Sequence, residues 1–296
     1  MAVLTAQGIA NVAVALLTRQ LVLPRTVMQI PGGEFAGSNG DTVTVRVPQP
    51  TTARKQATPG ATITYDDVTE VPVNVTLEHL YHAKLVSDEE LSLRLEDYAR
   101  QITRVQTAAV ATRAENSLAT AMNNASSNLT VAADGSDVDA AVLEARELLG
   151  RALVPSDARY LAVSPEFATF LLSTKQLTEV DAAGTPSALR DAVIGRYRGF
   201  TVVESAGLTA GTAHAYHESG YAFANRVPVV PRGVVDSAIS NEGGIGLRQI
   251  FQYVPDKLSD ASVVSTFAGA ARVPEDGTGT NGTVFTRSVK LVTSDS

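Results

Sequence analysis

The sequence predicts an α+β fold on three observations. Alternating runs of β-branched and polar residues recur near both ends of the chain. One long helical pattern, unbroken by Gly or Pro, follows the first of these runs. The middle stretch mixes helices and short strands into a unit of its own. A chain of 296 residues is long enough for one large domain or two medium ones, each with a real core.

The elements follow in order. Residues 1–24 are rich in Ala, Val and Leu and read as a short amphipathic helix or arm. The first basic residue is Arg19, too late for a signal peptide. Asn11 interrupts the apolar run, so it is too short to span a bilayer, and no membrane attachment is expected. Residues 32–40 hold four glycines and read as a loop. Val43, Val45 and Val47 then alternate with polar residues as a half-buried strand. Residues 48–60 are polar, with three prolines and the basic pair Arg54–Lys55. Strand pattern resumes at Ile63 and Tyr65 and again over Val71, Val73, Val75 and Leu77, giving a long hairpin with a broad exposed tip. Pro72 marks its strand as an edge. A lone hairpin is barely stable in water, so this one needs a domain or a neighbour to lie on.

Residues 87–122 form the clearest element. Ser87 and Glu90 make a capping box, with Asp88 and Glu89 in the positive first turn. Apolar positions Leu91, Leu95, Tyr98, Ile102, Val105 and Ala109 mark one face. Such a helix would be about 50 Å long, well above the mean length. Ala108, Ala109 and Ala111 suit close packing on a flat partner such as a sheet, with a coiled coil as the alternative. Residues 123–137 read as a polar loop, 137–153 as a helix stopped by Pro155, and 159–163 as a strand. Ser164 caps a helix that opens with Pro165 and ends near Leu172. A helix at 187–194, strands at 200–204 and 213–216, and a helical turn at 218–225 follow. The pattern then turns to β, with strands at 247–254, 263–273 (Gly269 its weak point) and 284–292.

Composition narrows the function. Only 19% of residues are charged, which suits large packed interfaces and equally a secreted β protein. Net charge is −7, a poor balance for gripping nucleic acid. Arg outnumbers Lys by 19 to 5, which fits either interface use or a GC-rich genome. No cysteine is present, so disulfides, Cys-zinc sites and Cys nucleophiles are excluded, and the cytosol is the simpler compartment.

Chemical motifs do not accumulate. Gly277, Gly279 and Gly282 match G-x-G-x-x-G, but the loop precedes a strand and does not open a helix. His79 and His82, and His214 and His217, are spaced by three. The second pair falls in a strand, where that spacing sends the two rings to opposite faces; the first sits where the hairpin gives way to the helix. Structural histidines are the expectation for both pairs, against a zinc site. There is no nucleophile elbow, P-loop or H-E-x-x-H. No catalytic, cofactor-binding or metal-ligating residue is nominated, although distant carboxylates can still pair in space.

The order of parts resembles the HK97-like fold of tailed-phage major capsid proteins. Residues 40–77 look like the E-loop of that family, 87–122 like its spine helix, and about 137–235 like its axial domain. Residues 246–254 and 284–292 look like returning strands of its peripheral sheet. Local strings agree: Gly246-Leu247-Arg248-Gln249-Ile250 through Tyr253, Val264-Ser265-Thr266-Phe267-Ala268-Gly269, and Tyr216-His217-Glu218-Ser219-Gly220-Tyr221-Ala222-Phe223-Ala224 are similar to P22-coat-like capsid proteins. The resemblance implies an N-terminal arm (1–39), an E-loop hairpin (40–78), a peripheral domain with spine helix (79–126), an axial domain (127–240), and returning strands with the C-terminus (241–296).

That resemblance implies a non-enzymatic structural subunit that self-assembles, as pentamers and hexamers, into an icosahedral capsid around double-stranded DNA held by confinement. No cofactor follows from it. About forty residues precede the hairpin, too few for a fused scaffold, so a separate scaffolding protein is expected, together with a portal protein. The implied location is the virion, after assembly in the bacterial cytoplasm. Candidate inter-subunit contacts are Arg54 and Lys55 at the hairpin tip and Arg19 and Arg25 on the arm. Arg54 and Lys55 read as docking charges on an arm that reaches a neighbour, or as an ordinary solvated tip. One member type cross-links an E-loop Lys to an Asn; Lys55 is suitably placed, with Asn241 or Asn281 as partner. Alternatives are an encapsulin-like compartment shell, a tail or decoration protein, and an α+β hydrolase, which predicts a small oligomer with a deep pocket.

Overall fold

A computed structural model of the chain describes residues 13, 21–30, 41–48, 53–56, 58–60, 62, 63, 65, 67, 70–88, 102–126, 128–173, 195–234, 236–242, 245–273 and 287–294. The expected helix at 187–194, the glycine motif at 277–282, Arg19 and Asn281 lie outside these residues.

Three sheets organise the described chain. The first has six strands. Strands β1 (Met28–Ile30), β10 (Tyr221–Arg226), β13 (Ser259–Arg272), β12 (Ile245–Val254) and β11 (Asp236–Glu242) lie in that order, and β4 (Glu78–Ser87) pairs with the other side of β13. The second, also six-stranded, runs β5 (Leu129–Val131), β14 (Ser288–Thr293), β9 (Thr212–His217), β6 (Arg159–Val163), β8 (Phe200–Glu204), β7 (Arg196–Tyr197). The third is the hairpin β2 (Thr42–Pro48) with β3 (Glu70–Thr76), antiparallel from Thr42↔Thr76 to Pro48↔Glu70.

Helix α1 (Arg104–Asn123) packs on the first sheet. Its Val110, Ala111, Ala114, Leu118 and Met122 share a core with Leu80, Leu247, Val264 and Ala268 of the strands. Of the three alanines expected to pack on the sheet, only Ala111 lies in this core; Ala108 is half-buried and Ala109 is exposed. Helices α2 (Val138–Arg151) and α3 (Pro165–Ser173) cover the second sheet, and Val142, Leu149 and Phe167 meet Leu161, Ala213, Val289 and Leu291 in a separate core. The expected cap of α3 is present: Phe167 N donates to Ser164 Oγ at 3.3 Å.

Several expectations are corrected. The strand β4 runs through Ser87, and Asp88 after it is helical; residues 89–101 lie outside those described. A strand at 78–87 has no sequence signature, because only Leu80 and Val86 of it are fully buried, and they are six residues apart. Within α1 the apolar face is displaced by one residue. Ile102 is buried, but Val105 and Ala109 are exposed, and Gln106 and Val110 point inward instead. The inward positions Ile102, Gln106 and Val110 follow i,i+4 spacing, so a polar Gln takes a place that an apolar pattern assigns to Val105. Gln106 then bonds Ser262 twice, donating to its carbonyl at 2.8 Å and accepting from its hydroxyl at 2.9 Å.

The turn expected at 218–225 is a short 3-10 segment, Glu218–Gly220, followed by β10, a buried strand of the first sheet. Its residues Tyr221–Asn225 are buried on both faces, so alternation is lost. The loop expected at 123–137 contains β5, and β11 had no expectation at all. The final strand was expected beside 246–254. It lies instead in the second sheet, antiparallel to β9 and parallel to β5, because Val289 and Leu291 fill the core under α2. Residues 21–30, expected within a flexible arm, are built into the first core through Leu21, Leu23 and Val27.

Candidate assembly surface

The hairpin is rooted at its base. Val43, Val73 and Val75 bury one face against Ile30, Ala222, Ala224 and Val273. At its base Gly269 of β13 lies so close to Thr76 that a Cβ there would overlap the Thr76 carbonyl oxygen. Toward the tip the described residues are solvent-facing: Arg54 and Lys55 are exposed, as is Ile63, and Tyr65 is 85% exposed. Pro72 lies opposite Arg46 in a strand that pairs only with β2 among the described residues, the edge position expected of it.

Helix α1 covers one face of the first sheet, and the other face is covered by the hairpin at its β10 end and open at its β4 edge. Register and alternation put Leu80, Val264 and Gln249 under α1. The opposite face carries the row Ile239, Arg248, Ser265, Tyr81 across four strands. Tyr81 is 68% exposed, with Leu85 exposed farther along the same strand and Ile239 exposed at the other end of the row. Arg248 is buried within this row. Its guanidinium donates to Ser265 Oγ at 3.1 and 3.2 Å and to the Val229 carbonyl, which holds the segment after β10 against the sheet. Strand β4 pairs on one side only among the described residues, which leaves a ten-residue edge.

Two polar ties fix how the parts meet. Glu115 of α1 accepts from Ser205 Oγ at 2.6 Å and from Val22 N at 3.3 Å, linking the arm, α1 and the loop after β8. Lys290 of β14 donates through Nζ to the Asn123 and Ala125 carbonyls at 2.7 and 3.2 Å, a cation at the negative end of α1. Between the hairpin base and α1 lies a polar cleft of about 340 Å³, lined by Asn74, Thr76, Glu78, Arg113, Asn116 and Thr120 among others, with Arg113 and Glu78 paired at 3.6 Å.

The histidines are structural in their surroundings. His79 stacks at 4.7 Å from Phe267 on the open face of β4. His82, two strands from β12, points under α1. His214 and His217 lie on opposite faces of β9, as the spacing required. His214 is completely buried without a hydrogen-bond partner, and burial, with the nearby Lys290 and Arg272 cations, pushes its pKa down to about 3. His217 accepts from Ser219 N at 3.2 Å. Among the described residues no group of three or more His, Asp or Glu could hold a metal ion, and no helix is long and apolar enough to cross a membrane.

Of the sequence candidates, Arg54, Lys55 and Arg25 are all exposed. Arg25 sits in the short 3-10 segment Leu23–Thr26, remote in sequence from the hairpin tip. Asn241, the first cross-link candidate, is exposed at the end of β11. The open face, Glu115 and Lys290 escaped sequence reading. The exposed residues of β4 and β11 lack alternation, and the two ties join residues 90 or more positions apart.

The described chain thus combines two mixed six-stranded sheets, a hairpin rooted on the first of them and three helices. The model of the phage capsid protein family matches residues 93–281, and the chain belongs to that family. No curated protein sequence matches it. Among solved structures, that of Mycobacterium phage Che8 is similar at 21% identity, covering 92% of this chain and 90% of that one, with a TM-score of 0.64. The capsid of cyanophage P-SCSP1u shares 12% identity over 92% of this chain and 87% of that one, at 0.63. A virus-like particle from Pyrococcus furiosus shares 12% over 96% and 97%, at 0.54. The fold is HK97-like, and the protein is a structural capsid subunit.

Proposed function

We propose that this chain is the major capsid protein of a tailed bacteriophage, of the P22-coat-like kind, and that it builds an icosahedral shell of pentamers and hexamers around double-stranded DNA. It has no enzymatic role in this reading. The observation that supports it is the hairpin: anchored by three valines at its base, it carries exposed Arg54, Lys55, Ile63 and Tyr65 toward its tip, where the apolar Ile63 and Tyr65 are left in water. On a neighbour these groups bury apolar area and place two cations against an acidic partner surface. Arg19 and Arg25 add contacts from the arm.

The first sheet with α1 serves as the peripheral domain and the second sheet with α2 and α3 as the axial domain around capsomer axes. Many such weak contacts acting together make the closed shell far more stable than any pair. An acidic container confines DNA and does not grip it. Assembly takes place in the host cytoplasm with a separate scaffolding protein and a portal. Electron microscopy of the chain expressed with its scaffolding protein tests the reading. Icosahedral particles that package DNA support it; closed shells holding protein cargo would indicate a compartment shell of the encapsulin kind, and persistent monomers with turnover would overturn both.

A further inference from the structure

Among the described residues, four that are not glycine adopt left-handed backbone with positive φ: Leu153 (57°), Ala158 (46°), Arg198 (48°) and Leu258 (41°). Two have a local explanation. Ala158 carries a single methyl group. Arg198 is held by two hydrogen bonds to Asp139, at 2.7 and 2.6 Å. The two leucines have none, and for a bulky side chain this conformation is a true outlier.

Leu153 ends α2. Its N–H bonds the Gly150 carbonyl and that of Val154 bonds the Leu149 carbonyl, the paired closure in which glycine normally fills the left-handed position. Leu258 is the last residue of the four-residue turn between β12 and β13, another position suited to Gly or Asn. Its N–H bonds the Pro255 carbonyl and its own carbonyl accepts from Asp88 N, so the turn cannot relax away from the strain. Both side chains project outward: Leu153 is 80% exposed and Leu258 65%. Neither belongs to a hydrophobic core of this chain.

Each leucine is thus unfavourable twice over in the lone subunit, by backbone and by hydration. Local strain of this kind persists where function needs it. We infer that Leu153 and Leu258 are apolar contact points, held out in rigid turns, that are buried by a second copy of this chain on assembly. This rests on the capsid reading above. The two stand on different elements, Leu153 just past the end of α2 and Leu258 in the turn between β12 and β13, so they serve separate contacts. A subunit of a closed shell must be touched on several sides. Rigidity matters here because a contact group fixed before binding loses little freedom when it docks.

The test replaces each leucine singly with glycine and, as a control, with methionine, in the full chain made with its scaffolding protein. Glycine relieves the left-handed strain, so the unassembled Leu153→Gly and Leu258→Gly subunits should keep their unfolding temperature or gain about 2 °C. Particle formation should move the other way, with the threshold concentration for assembly rising about tenfold, the share expected of one lost buried leucine. Methionine keeps the apolar contact and should assemble near wild type. Glycine variants that assemble as readily as wild type would overturn the inference, and so would an assembly loss that merely tracks a lower unfolding temperature. Absence of particles from the wild-type chain would instead tell against the capsid reading itself.

Discussion

His214 shows how one side chain couples this core to pH. Its imidazole is buried, neutral and beside Lys290 and Arg272, with a pKa of about 3 against 6.5 for the free group. The unfolded chain therefore takes up a proton that the native state refuses. Stability from this site is complete above pH 6.5 and declines as pH falls toward 3. His214→Leu should flatten the fall in unfolding temperature between pH 7 and 5; an equal fall in variant and wild type would refute this. Lys290 is the second residue with a defined load. Burial lowers its pKa, yet its Nζ holds two carbonyls at the end of α1. Lys290→Met should cost about 1–2 kcal/mol in urea unfolding, since it leaves those carbonyls without their cation.

Elements meet at Gly269. Strand β13 reaches both β10 and β4 across its fourteen residues, and the hairpin base crosses it at Thr76. Sequence reading took Gly269 as a weak point of a strand, but its lack of a side chain is what lets the hairpin seat. Gly269→Ala should cost about 2–3 kcal/mol or displace the hairpin. Hydrogen exchange of β2 and β3 separates those outcomes from a tolerated change, in which protection would be unaltered. Helix α1 teaches a related lesson. Its existence was legible, and the face it buries was not, because polar Thr103, Gln106 and Thr107 point inward while Val105 is exposed.

At the scale of the whole molecule, the proposed role of the charged tip lies between subunits. Replacing Arg54 and Lys55 together with Ala should leave subunit stability within about 0.5 kcal/mol, as for exposed loop positions. Assembly should weaken, most at low salt where exposed charge pairs are least screened. Light scattering of assembly across a salt series measures this, and salt-independent, wild-type assembly would remove the tip from the interface. The purified subunit should bind duplex DNA weakly, given its net charge of −7. Tight binding in a gel-shift assay at physiological salt would contradict confinement without grip.

The sequence by itself determined the hairpin, the strand at 159–163, the capped helix after Ser164 and the α+β class. Each of these rests on local patterning, on turn and capping residues, or on alternation along a half-buried strand. The acidic, cysteine-free composition likewise limited the chemistry from the start. Only the tertiary structure decided that β4 and β10 are strands, that β14 closes the second sheet, and which face of α1 is buried. Those choices depend on partners far away in the chain. A strand covered on both faces, or exposed along most of its length, carries no periodic mark of its own. The open face of Tyr81 and Ile239 and the two strained leucines belong to the same class, since exposure is a property of the folded surface and not of any window of sequence.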